Sequence, residues 1–123
     1  MVIVIEQKEW VAMFRRDIKE KLKESKKEFD IYKRTGRVVF LQQAGNKLFS
    51  VVENWLMLKY KTRVSSYQGL KNLVKDNRND KLLLIRVAQL HRFFYQNETM
   101  GEAWEFEELY LESYEIMKNR IKK

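Results

Sequence analysis

The chain contains one histidine, His91, in the stretch "LIRVAQLHRFFY" at residues 84–95, and Arg86 lies five residues before it. Histidine changes charge near neutral pH, so it is the residue type suited to moving protons. Arginine keeps its charge and offers a planar fork of donors to anions. Both stand here in an apolar run and need a physical reason. Two readings are open. A lone His among Leu and Phe is ordinarily a hydrogen-bonded, half-buried core residue, and an Arg can lay its stem on the core and carry its head to water. The alternative is a reactive site.

On a helix turning about 100° per residue, with Leu83 at zero, Val87, Leu90 and Phe94 fall within about 40° of it and form a core stripe. Leu84, Ala88 and Tyr95 form a second apolar stripe, while Ile85, Gln89 and Arg92 take the far side. His91 and Arg86 flank the core stripe from opposite sides, about 140° apart. They cannot form a compact pair on one straight helix. A two-fold axis beside the helix would bring Arg86 of one subunit to His91 of another.

The rest of the chain supplies helices to hold this segment. Trp10, Phe14, Ile18, Leu22, Ser25 and Phe29 recur at helical spacing and predict a first helix over 5–33, with charges on its other face. "KRTGR" ends it, with Gly36 as a left-handed cap. Leu41, Ala44, Leu48, Val51, Trp55 and Leu58 predict a second helix over 37–61. Gly45 inside it implies a close helix neighbour, and Asn46 a buried polar link between helices. Ser65 or Ser66 caps a short helix over 66–76, and Asn79 or Asp80 caps the fourth over 81–95. Thr99 and Glu102 suit a capping box for a fifth over 102–121, with Phe106, Tyr110, Ser113, Met117 and Ile121 inward. The fold class expected is all-α: a single-domain antiparallel bundle, residues 1–123, of four main helices and one short one. Trp10, Trp55 and Trp104 are expected to anchor the core or a dimer seam.

Composition narrows the chemistry. With no cysteine and one histidine, disulfides, thiol nucleophiles and Cys-based zinc sites are excluded, and neither metal nor cofactor is expected. The apolar run in "MVIVIE" is too short for a signal or a span, so a cytoplasmic protein without membrane association is expected. The formal charge is +8. Residues 36–64 hold five basic and one acidic group, whereas 101–123 hold four basic and six acidic. A basic body with an acidic C-terminal segment favours polyanions. A helical DNA-binding protein ranks last, because the segment after "SSYQGLKNLVKDNRND" is too apolar to serve as a recognition helix.

"RVAQLHRFFYQNE", in the penultimate long helix of a small α bundle, resembles the R-x(4–6)-H motif of the HEPN superfamily, and more specifically its archaeal PaREP branch with a Leu-His-x-Asn-Phe-Tyr-Glu signature. Leu90, His91, Phe94 and Tyr95 match. "AGNKLFSVVENWL" and "SSYQGLKNLV" are similar to the family's second and short helices, so the resemblance covers roughly residues 37–121. It implies metal-independent RNA cleavage by a homodimer, with a toxin role beside a small nucleotidyltransferase-fold antitoxin in many members. Others are non-catalytic nucleotide-binding, dimerisation or protein-interaction modules. In an active member His91 would be general base or acid on the ribose 2′-OH or the leaving 5′-oxygen, and Arg86 would hold the scissile phosphate. Tyr95 or Gln96 would orient His91 or the phosphate, and Lys59, Lys61 and Arg63 of "KYKTR" would steer the RNA backbone. Active ribonucleases of the family usually carry a polar residue directly after the Arg. Here Val87 stands there, and Phe93 and Gln96 replace the Asn and Glu of the signature. These departures bear on catalysis more than on fold.

Overall fold

Apolar residues at three- and four-residue spacing, with no proline to interrupt them, produce five helices among the described residues: α1 (Val2–Thr35), α2 (Val38–Tyr60), α3 (Tyr67–Val74), α4 (Arg78–Gln96) and α5 (Ala103–Lys122). The structure is a computed structural model that describes the backbone of residues 2–96 and 102–122 and the side chains of 10–94 and 102–121. No strand occurs among the described residues. The fold is the expected helical bundle of four main helices and a short one.

α2 is the central helix and packs against all four others, most extensively α1 and α4. Its stripe of Leu41, Ala44, Leu48 and Val51 is fully buried. Gly45 lets α4 approach: a Cβ there would sit 3.0 Å from Leu90 Cβ. The α1, α2 and α5 faces meet at Ser25, which donates to the Ala44 carbonyl at 2.8 Å and lies 2.8 Å from the Tyr110 hydroxyl. Phe29 stacks on Tyr110 beside this node.

The helix ends follow local chemistry. Gly36, at φ +71°, closes α1 and donates its N–H to the Tyr32 carbonyl at 2.7 Å. Ser66 caps α3 by accepting from Gly69 N–H at 3.0 Å. α4 begins earlier than its apolar pattern predicts. Asn77, not Asn79 or Asp80, accepts the Asp80 N–H at 3.0 Å, so the polar "RND" forms the first turn. At α5, Glu105 reaches back to the Glu102 N–H at 2.8 Å. Thr99, the expected other half of that box, lies outside the described residues. Trp104 is 64% exposed and so is not a core anchor, because its position on α5 faces away from Phe106 and Tyr110. Trp10 and Trp55 are half-buried.

Candidate functional site

His91 sits near the C-terminal end of α4, where Gly45 and Leu90 draw α4 onto α2. One residue beyond each partner of that contact, Asn46 and His91 meet: Nδ1 of His91 lies 2.9 Å from Asn46 Oδ1. Since the amide oxygen accepts, Nδ1 carries the hydrogen, and the lone pair of the neutral ring is on Nε2. The ring stacks on Phe49, one turn along α2, at 4.3 Å between centroids. Burial holds the His91 pKa below its ordinary value, and the charge of neighbouring Arg92 pushes it the same way. Both effects favour the neutral ring.

This histidine forms one wall of a cleft of about 450 Å³ between α2, α4 and the start of α3. Asn46, Phe49, Ser50 and Glu53 line it from α2, Ser65, Ser66 and Tyr67 from the α3 entry, and Ala88, His91 and Arg92 from α4. Glu53 is half-buried, and desolvation raises its carboxyl pKa against the opposing charge of Lys21. The cleft thus combines a stacked aromatic wall, hydroxyls, an amide, a carboxyl and a guanidinium. Such a set can take a flat polar ring and an attached anion.

Arg86 is elsewhere. Its Nε lies 4.0 Å from Glu112 of α5, a surface pair with 37% and 59% exposure, and it does not line the cleft. The two residues of the motif thus face α5 and α2 respectively, and one protomer does not bring them together. Val87 between them is fully buried in the core. Phe93, where the signature has Asn, is also buried and stacks on Phe106 at 4.0 Å. The side chains of Tyr95 and Gln96, expected to bind substrate, lie outside the described residues.

The three basic residues of "KYKTR" do not form a strip on this cleft. Lys59 is about 130–140° round α2 from Asn46 and donates to Asp80 at 2.7 Å. Lys61 is exposed and ends α2 in a left-handed conformation at φ 52°. Arg63 lies over the Trp10 ring of α1 at 5.9 Å. The cleft residues missed in the sequence are Phe49, Ser50, Glu53 and Arg92. The helical spacing of Asn46, Phe49, Ser50 and Glu53 was the available signal, since they share one face of α2.

No cluster of three or more His, Cys, Asp or Glu residues that could hold a metal occurs among the described residues. No helix among them is long and apolar enough to cross a membrane. No family model, no curated protein and no solved structure matches the chain.

Proposed function

We propose that this chain is a HEPN-like RNA-binding module that takes a single-stranded ribonucleotide segment in the His91 cleft. The observation that supports this best is the juxtaposition in one cleft of the stacked His91–Phe49 pair, the Glu53 carboxyl and Arg92. Tyr67 and the His91 face suit a base, Glu53 suits ribose hydroxyls, and Arg92 suits the phosphate. Binding without cleavage by one protomer is supported by Arg86, which lies against Glu112 and outside the cleft lining, and by the buried Val87 beside it.

A second reading, a metal-independent ribonuclease, rests on the His91 tautomer. A neutral ring with Nδ1–H held by Asn46 and the lone pair on Nε2 is the form a general base requires. Arg86 would then come from a second copy of the chain across a two-fold axis. A homodimer and a nucleotidyltransferase-fold antitoxin belong to that reading.

The test is a labelled short single-stranded RNA with purified protein in excess EDTA, read for both binding and cleavage. Binding that His91→Ala and Arg92→Ala each weaken about tenfold, with RNA intact, supports the module. Cleavage lost in His91→Ala and in Arg86→Ala supports the ribonuclease. RNA binding that neither cleft variant alters sinks both.

A further inference from the structure

A second groove lies across α2 from the His91 cleft. Trp55 is about 180° round α2 from Asn46, so the two sites open on opposite faces of the helix. The groove encloses about 530 Å³ between α1, α2 and α5. Ile18, Leu58 and Ile121 give it an apolar floor, and Trp55 a wall. Among the described residues, four cations surround it, Arg15 and Lys19 one turn apart on α1, Lys59 on α2 and Arg120 on α5, and no acidic side chain lines it.

The cations fall into two pairs. Lys59 and Arg120 are held together by Asp80, whose buried carboxylate accepts from Lys59 at 2.7 Å and from Arg120 at 2.8 Å. Both also lie against the Trp55 ring, at 5.2 and 5.0 Å from its centroid. One carboxylate neutralises one of these two charges, and both side chains line the groove with donors to spare, 39% and 25% exposed respectively. Arg15 and Lys19 are exposed, and neither has an ion-pair partner among the described residues. The described residues therefore give the groove a net charge of +3, counting Arg15, Lys19, Lys59 and Arg120 against Asp80. Like charges held around an apolar floor repel one another unless an anion sits between them.

We propose that this groove binds the oligophosphate group of a nucleoside polyphosphate, with the nucleoside against the Trp55, Leu58 and Ile121 wall. Three to four negative charges match the net charge of the groove. The preset Lys59–Arg120 pair supplies the rigid half of the site, and Arg15 and Lys19 the adaptable half. The site is independent of what the His91 cleft binds.

Calorimetric titration of the full chain with ATP, inorganic tripolyphosphate and adenosine tests this at fixed, near-physiological salt. ATP is expected to bind saturably, tripolyphosphate several-fold more weakly, and adenosine not at all. Arg15→Ala with Lys19→Ala, both on the surface and outside the core, is expected to weaken ATP about tenfold while circular dichroism stays unchanged. A charge-matched control, Lys75→Ala with Lys81→Ala, lies outside the groove and is expected to leave affinity unchanged. The proposal is overturned by no saturable ATP binding, by equal loss in the control pair, or by adenosine binding as tightly as ATP. Tripolyphosphate binding as tightly as ATP overturns the nucleoside assignment.

Discussion

His91 and Asn46 are joined Nδ1 to Oδ1 at 2.9 Å, one residue beyond the Gly45–Leu90 contact where α2 and α4 come closest. The tautomer of the only histidine is thereby set by the crossing of two helices. Anything that changes that crossing changes the imidazole.

Burial lowers the folded pKa of His91 below the ordinary 6.5. The unfolded chain then binds more protons between the two values. Stability from this group is fully present above 6.5 and falls as pH drops through that value toward the folded one. With a single histidine, NMR follows one imidazole and should give a midpoint below 6.5. Asn46→Asp should raise that midpoint by about one unit or more, because a carboxylate favours the imidazolium. A midpoint at or above 6.5 in the unaltered protein contradicts the burial argument.

Gly45→Ala should destabilise the fold by about 1 kcal/mol. Overpacking costs about 1–3 kcal/mol and the gain in helix propensity returns only about 1. The clash is with Leu90 Cβ, which is fully buried and cannot swing aside as a chain terminus could. The same displacement should loosen Asn46 from His91 and shift the histidine midpoint. Denaturant unfolding and the NMR titration check the two effects separately.

Asp80 is a buried carboxylate that accepts from Lys59, from the Tyr60 hydroxyl at 2.6 Å and from Arg120. Burial by itself raises its pKa, but the Lys59 and Tyr60 hydrogen bonds and the charges of Lys59 and Arg120 outweigh this and hold it below 3.8. Its contribution is complete above that value and is lost as pH falls through the lower folded pKa. Asp80→Ala should cost about 2–3 kcal/mol, the modest end for a broken buried pair, because Lys59 and Arg120 still reach water. Tyr60, pushed up to about 12 by burial and by Asp80, should titrate lower in that variant, as read by phenolate absorbance.

Ser25 and Tyr110 should respond unequally to deletion. Ser25 donates to the Ala44 carbonyl, so the Tyr110 hydroxyl is the donor in their shared bond. Ser25→Ala leaves a fully buried phenol and a carbonyl short of a partner and should cost about 2 kcal/mol. Tyr110→Phe removes the phenol and leaves the Ser25–Ala44 bond in place, at about 1 kcal/mol. Equal losses in chemical denaturation would show that the two hydroxyls bond otherwise.

Arg86→Ala should leave RNA affinity of the His91 cleft unchanged in a monomer, since Arg86 does not line the cleft and lies instead beside Glu112 on the surface. Loss of affinity in that variant would mean that a second subunit contributes Arg86, and sedimentation would then show the dimer.

Much of the bundle is written in local pattern. Residues 100° apart per step declare their faces without reference to the rest of the chain, so Leu48, Val51, Tyr110 and Met117 are legible as core. Gly36 and Ser66 end and begin helices through bonds that span a few residues, which local sequence contains. The separation of Arg86 from His91 is legible for the same reason. What the tertiary structure decided is which faces meet and in what register. Asp80 has the composition of a helix cap, and it became a buried anion because Lys59, Tyr60 and Arg120 arrive from two other helices. Asn46 declared itself a polar link, but its partner lies 45 residues away across a crossing whose closeness depends on Gly45 fitting Leu90. Bonds within one turn follow from the chain's own geometry, whereas bonds between helices depend on how whole faces pack, and no single segment contains that information.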